Sequence, residues 1–374
     1  MTLWNRIEQI FKHKLLYLFE KLWGRSVLDP REIDVQNIQR ILVLRQHDQL
    51  GDFLLSTPVF RALANHFPQA HLCLVASKHT ANLMKHHTWL NEVLVFYKDG
   101  HDWSWKEVKH FWKQLRKGWD LTVVLNTVSH SLTTDMLAFL SKAPLVLGPE
   151  HHRFEGTTRN FFYNLISPVD DKSKSQSEHN LDIVRYIGVN PDSAHQEITL
   201  TPPELATTRH FLEKKGNDHL PLLVVHPGAG KTGNRWPVEY FAKVCDRLAN
   251  EYDMQIFVTW GPGEHDLGKA LLTLLKTEAI HGVFGDLREL AALFAHANLV
   301  LCNDTGVMHL ASAVGAPLVA VFGPTDPTEW KPVGEPFIAV RSDDHLTPSV
   351  TPECVHMAAL TLLDRLKDKK KSTF

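Results

Sequence analysis

With 374 residues, the chain is about two to three times the usual domain length, which predicts two domains and excludes a mini-protein. Apolar residues make up 44% and charged residues 22%, with 20 Gly and 20 Pro, a composition that excludes a largely disordered or fibrous chain. The 40 Lys and Arg nearly balance the 42 Asp and Glu, so anion recognition must come from local placement, and the count argues against a general nucleic-acid binder. Four cysteines, Cys73, Cys245, Cys302 and Cys354, are widely scattered, without the paired spacing of zinc or redox sites, and are expected to be reduced thiols in the cytosol.

The first 25 residues predict a basic amphipathic helix. Leu3, Trp4, Ile7, Ile10, Phe11, Leu15, Leu18, Phe19 and Leu22 fall on one stripe, while Arg6, Lys12, Lys14, Lys21 and Arg25 outnumber Glu8 and Glu20. The run Leu15 to Phe19 is far short of the roughly 20 apolar residues of a membrane span, and the apolar block is too broken for a signal peptide. Such a helix either lies on an anionic membrane surface, with Trp4 and Trp23 at headgroup level, or packs on the protein's own body. Residues 1–39 are assigned to this helix and its lead-in.

From Arg40 onward short apolar runs alternate with amphipathic stretches, the rhythm of a parallel sheet with helices. Strands are predicted at 41–44, 71–76, 92–96, 121–125 and 145–147, and helices at about 54–67, 105–117, 133–141 and 180–187, with a polar loop over 167–178. The proline-bearing connection 188–203 marks the boundary between a first Rossmann-like domain, 40–195, and a second, 196–345. There the rhythm restarts: strands at 222–226, 255–260, 299–302 and 317–322, and helices at 237–252, 265–275, 287–297 and 307–314. A helix at 353–367 and a frayed lysine-rich tail occupy 346–374. In such sheets ligands sit at the carboxyl ends of the strands, so the cleft between the halves is the expected active site.

Four loops at those ends carry the chemistry. The first strand runs into Arg45 and then Leu50-Gly51-Asp52, where Gly51 permits close backbone approach. Asp52, at the next helix start, is either a general base or a simple helix cap. Asp48 is a second acid nearby. His226-Pro227-Gly228-Ala229-Gly230-Lys231-Thr232-Gly233-Asn234-Arg235-Trp236-Pro237 joins a strand to a helix, and its glycines, cations and hydroxyl suit a diphosphate, although it lacks the Walker order and also fits a glycine-rich surface turn. Gly261-Pro262-Gly263-Glu264 could frame a base or ribose. Asn303-Asp304-Thr305-Gly306, leading to His309, puts polar groups and free N–H donors at a helix start; Asp304 equally fits a cap and His309 a satisfied buried histidine. Despite 23 histidines there is no metal-ligand spacing, and neither a D-x-D triplet nor a G-x-S-x-G elbow occurs, so no catalytic metal or cofactor is expected.

Together these loops, with Ile41 to Arg45, Pro58 and Phe322-Gly323-Pro324-Thr325-Asp326-Pro327, resemble glycosyltransferase family 9, the lipopolysaccharide heptosyltransferases, over about residues 40–340. The resemblance implies an α/β GT-B fold of two Rossmann-like domains, the acceptor on the first and an ADP-sugar on the second. It implies Asp52 as the general base of an inverting, metal-independent transfer from ADP-L-glycero-β-D-manno-heptose to a lipopolysaccharide core acceptor. Donor contacts would come from Gly228, Lys231, Arg235, Gly263, Glu264, Asp304, Thr305, Gly306 and His309, and acceptor contacts from Arg45 and Gly51. Many relatives carry Lys where this chain has Asn234, so the phosphate cation is Lys231, Arg235 or neither, with Lys231 favoured. The implied setting is the cytoplasmic face of the inner membrane, peripherally bound, with residues 1–24 as a possible surface contact. The alternatives are another nucleotide sugar or acceptor, or a non-catalytic sugar-nucleotide binder.

Overall fold

The computed structural model describes residues 3–46, 49–98, 102–128, 131–150, 157–169, 173–216, 219–334 and 336–372, with side chains described between residues 13 and 369. Asp48 lies outside the described residues. The chain forms two compact units, one of Met1–Asp48 with Ser56–Ala194, the other of Gln49–Leu55 with His195–Phe374.

The first unit is built on six parallel strands, β1 (Arg40–Arg45), β2 (His71–Ser77), β3 (Glu92–Phe96), β4 (Leu121–Val124), β5 (Leu145–Pro149) and β6 (Leu165–Ser167), in the order β3-β2-β1-β4-β5-β6. Ile41 to Leu44 are fully buried because helices cover a parallel sheet on both faces. The helices are α1 (Leu3–Trp23), α3 (Thr57–His66), α4 (Lys78–Leu83), α5 (Trp105–Leu115), α6 (Leu132–Ser141) and α7 (Gln176–Arg185). The short α2 (Leu50–Leu54) follows β1 in sequence but belongs to the second unit.

The second unit repeats the plan with β7 (Leu222–His226), β8 (Gln255–Val258), β9 (Ala279–His281), β10 (Leu299–Asn303), β11 (Leu318–Phe322) and β12 (Phe337–Arg341), in the order β12-β11-β10-β7-β8-β9 and all parallel. Its helices are α8 (Pro202–Lys215), α9 (Val238–Tyr252), α10 (His265–Leu274), α11 (Leu287–His296), α12 (Gly306–Ala313), α13 (Pro327–Trp330) and α14 (Pro352–Ser372). Val355, Ala359 and Leu362 of α14 enter the core formed with α9 and the sheet.

Several expectations change. The helix expected over 54–67 is two, α2 and α3: Pro58, with no N–H to donate, sits in the first turn of α3, and the chain turns at Leu55 and Ser56. Strands β6, β9 and β12 were not expected, although β12 carries the apolar run Phe337 to Val340. The first two are three residues long, β6 and β9 and β12 are edge strands, and β12 is half-buried throughout. Pro202 and Pro203 do not exclude a helix; they open α8, where Thr201 and Glu204 form a capping box. Helix α7 starts earlier than expected, because Ser175 accepts from the Glu178 N–H and caps it. Helix α14 continues through the lysine run to Ser372, where a frayed tail was expected.

The stripe on α1 also changes. Leu16, outside the expected stripe, is buried, and Phe19 packs beside it against the core of the first unit. Leu15, Leu18 and Leu22 are exposed, as is Trp23. The helix is fastened at its end by Glu20, which accepts from the Thr158 N–H at 3.0 Å, and by Arg25, whose Nη1 donates to the Ala143 carbonyl at 2.8 Å.

Candidate active site

In each sheet the first strand is flanked by the second on one side and the fourth on the other. The chain therefore reverses its winding between β1 and β4, and again between β7 and β10. Loops leaving such a pair diverge and open a crevice beyond the strand ends.

In the second unit that place is densely organised. Asn303, ending β10, donates from Nδ2 to the Pro227 carbonyl at 2.8 Å and accepts from the Trp236 N–H at 3.0 Å, fixing the loop that leaves β7. The Trp236 ring is buried and its Nε1 donates to the Val350 carbonyl at 2.8 Å, anchoring the other end of the loop. Between these anchors, the Asn234 Nδ2 donates to the Asp304 carboxylate at 3.0 Å and faces Thr325 Oγ1 at 3.3 Å. Burial holds the Asp304 carboxyl above the ordinary range, against the hydrogen bond from Thr325 and the positive charge of Lys231. Lys231 itself is exposed, and Arg235 is half-buried with its Nε on the Ala229 carbonyl at 2.8 Å.

Glu264 approaches the same loop from the turn before α10. Its carboxylate accepts from the Gly261 N–H at 2.9 Å and lies 3.3 Å from His226 Nε2. Burial alone would raise this carboxyl, but the bond and charge of His226, the Gly261 N–H and the charge of Arg235 hold it below the usual range. A β-carbon on Gly228 would lie 2.2 Å from that carboxylate, so glycine is what allows the approach. Gly263 shapes the turn with φ of +79°.

Helix α12 begins at Gly306 after Thr305, whose side chain makes no capping bond, so the first N–H groups and the half-exposed Thr305 hydroxyl face the strand ends together. Asp304 is therefore one residue outside the cap. Helix α2 packs on this helix: a β-carbon on Gly306 would lie 3.0 Å from Leu50 Cβ, and one on Gly51 would lie 2.9 Å from His309 Cδ2. Asp52 is the third residue of α2, half-exposed; Gln49, not Asp52, occupies the cap position. His309 is buried, its Nδ1 3.2 Å from Gln196 Oε1, and burial pushes its pKa down to about 3, so the ring is neutral.

The fold thus brings Gly51, Asp52, Thr305, Gly306 and His309 into one group, and gathers Lys231 and Asp304, and Gly228, Arg235 and Glu264, along the adjoining loop. Arg45 is in the first unit, buried at the end of β1, with Nη1 donating to the Leu125 carbonyl. His226, Asn303 and Thr325 stand in the singled-out motifs without an assigned role, and Gln196 lies outside them; each acts through a partner far along the chain, which no local spacing reveals.

The profile of glycosyltransferase family 9 (heptosyltransferase) matches residues 108–359. The chain belongs to this family. It is 26% identical over 308 residues to lipopolysaccharide heptosyltransferase 3 of Escherichia coli, covering 79% of this chain and 87% of that one. Among solved structures, it resembles the glycosyltransferase family 9 protein of Veillonella parvula with a TM-score of 0.76 at 23% identity, covering 87% of this chain and 97% of that one. It also resembles the E. coli ADP-heptose lipopolysaccharide heptosyltransferase II, with a TM-score of 0.72 at 21% identity, covering 88% and 100%. The fold is accordingly GT-B, and the protein is a heptosyltransferase-like glycosyltransferase.

Proposed function

We propose that this glycosyltransferase moves heptose from ADP-L-glycero-β-D-manno-heptose to a sugar of the lipopolysaccharide core, with inversion and without a metal. The observation that carries this reading is the packing of α2 on α12 through Gly51, Gly306 and His309, which holds the Asp52 carboxylate on the same framework as the N–H groups opening α12. The Asp52 carboxylate takes the proton of an acceptor hydroxyl as its oxygen bonds to the anomeric carbon. The bond from that carbon to the diphosphate oxygen breaks, and ADP leaves with the electron pair. A positioned base of this kind supplies roughly 10²- to 10⁴-fold in rate. The negative charge growing on ADP is met by the α12 N–H groups and by Lys231, whose charge already acts on Asp304. Glu264, kept ionised by His226, is suited to accept hydrogen bonds from ribose hydroxyls, and the heptosyltransferases among the relatives support ADP-heptose as the donor.

The test is turnover of ADP-heptose on core acceptor in the presence of a chelator, with the anomeric configuration of the product read by NMR. Asp52→Asn should abolish transfer and leave ADP affinity unchanged. Stabilisation by UDP-sugars and not by ADP-heptose would overturn the donor; a ligand at 100 times its dissociation constant adds about 2.7 kcal/mol.

For location we propose peripheral binding at the cytoplasmic face of the inner membrane through α1. Among the described residues no helix is long and apolar enough to cross a membrane. The exposed Leu15, Leu18, Leu22 and Trp23 share α1 with the exposed Lys14 and Lys21, the pairing of apolar and basic groups that favours an anionic surface.

A further inference from the structure

The winding of the first sheet reverses between β1 and β4, and two side-chain amides stand there. The last register pair of those strands is Leu44 with Val124, so Gln46 and Asn126, each two residues further on, emerge side by side at the carboxyl ends. Both are nearly inaccessible, at 2% and 3% exposure. Gln46 is half satisfied: its Nε2 donates to Thr134 Oγ1 at 3.0 Å and reaches Ser131 Oγ at 3.3 Å, while its Oε1 has no partner. Asn126 has no partner on either Nδ2 or Oδ1. Immediately beyond lie Thr127, Val128 and Ser131, all half-exposed, so the amides sit one layer beneath the surface.

The second unit supplies an internal control. An asparagine also stands at the corresponding strand end there, and Asn303 uses both ends of its amide to bind the loop beyond β7. Asn126 has the same side chain beside the first strand of its sheet, and among the described residues none hydrogen-bonds it. Burying an amide with neither donor nor acceptor engaged costs about 1–3 kcal/mol for each unsatisfied group, so an amide orphaned at both ends at a strand's carboxyl end calls for an occupant.

We propose that Asn126 and Gln46 form a recognition subsite for uncharged sugar hydroxyls of the acceptor glycan, the Asn126 Nδ2 donating to one hydroxyl oxygen while its Oδ1 and the Gln46 Oε1 accept hydroxyl protons. This rests on the reading of the first unit as the acceptor side. Hydroxyls fit because they both donate and accept, as the free amide atoms require. A phosphate or carboxylate offers only acceptors and would leave Oδ1 and Oε1 unmet. Thr134, Ser131 and Thr127 beside them are hydroxyls, and the buried Arg45 guanidinium close by is directed to the Leu125 carbonyl. Asn126 and Gln46 are thereby specificity-determining residues for the acceptor.

The experiment is equilibrium binding of a dephosphorylated core oligosaccharide, released from lipopolysaccharide by mild acid, to the full chain and to Asn126→Leu and Gln46→Leu, with melting temperature measured alongside. The expected result is binding by the natural chain and a loss of at least about tenfold in each variant, with the melting temperature of Asn126→Leu, which decides between recognition and structure, unchanged or raised because an unpaired amide has gone; Gln46→Leu also loses its bonds to Thr134 and Ser131 and is read for binding alone. Equal affinity in the Leu variants overturns the proposal and leaves a buried water as the occupant. Binding of the phosphorylated oligosaccharide only overturns the hydroxyl assignment. Weakened binding with a melting temperature lowered in proportion overturns it in favour of a structural role; Asn126→Ser, which keeps one hydrogen-bonding group in less volume, is then expected to restore neither. Turnover of ADP-heptose is read separately, so a wrong donor does not disturb this result.

Discussion

The α-carbon of Gly51 faces the His309 imidazole so closely that an added β-carbon would lie 2.9 Å from Cδ2. His309 is buried and held by Gln196, so the helix carrying Asp52, and not the ring, must yield. Gly51→Ala is expected to lower kcat by roughly 10²-fold, the cost of about 1 Å of displacement at a reacting group, with ADP affinity little changed. Steady-state kinetics with a parallel ADP titration check this. A variant with unaltered kcat would separate α2 from the chemistry.

Gly228→Ala acts differently. Its β-carbon would collide with the flexible end of Glu264, which can swing away at small cost to the fold but loses the Gly261 N–H and His226. Donor affinity should fall by about 1–3 kcal/mol while the melting temperature stays near that of the natural chain. ADP titration by calorimetry reads the first quantity and a thermal melt the second.

Lys231 and Asn234 can be tested as a pair. Lys231→Ala should weaken ADP binding and lower kcat, in the range of one to two powers of ten, if its charge meets the diphosphate. Asn234→Lys in that background places a cation beside Asp304 and is expected to recover part of the loss. No recovery, with a soundly folded double variant, would point to Arg235.

His309 predicts a pH dependence of stability. Its folded pKa of about 3 lies below the ordinary 6.5, so the unfolded chain binds the extra proton between those values. Stability therefore falls as pH falls from about 6.5, by about 2 kcal/mol at pH 5 relative to pH 7, before carboxylates begin to contribute. Urea midpoints across that range should show the slope, and His309→Asn should flatten it.

For α1, replacing the exposed Leu15, Leu18 and Leu22 together with Asp should abolish binding to phosphatidylglycerol vesicles while changing stability little, because none of the three supports the core. Vesicle sedimentation decides. Retained binding would transfer the membrane contact elsewhere.

Local pattern went far in this chain. The apolar runs of β1, β7 and β10 are legible because a buried parallel strand must be apolar on both faces, and the polar and glycine residues immediately after them could only be loops at the ligand-binding edge. Edge strands such as β9 are half-buried and lack that demand. On α1 an apolar stripe by spacing alone could not distinguish the face with Leu16 from the face with Leu18, since both are apolar. The Asn234 to Asp304 bond joins residues 70 apart, and the empty amide of Asn126 is defined by what fails to surround it. Neither leaves a mark on neighbouring positions.

The seven residues Gln49–Leu55 are encoded within the first half of the chain yet packed into the second. A single cut near Ala194 would thus not yield two self-sufficient pieces: the later fragment would expose Gly306 at the start of α12, and the earlier one would carry Asp52 on an unsupported turn. The same holds for exchange among relatives. A hybrid that takes its first half from another family member inherits that member's residue opposite His309, so the first half cannot be exchanged without also re-fitting the packing on α12.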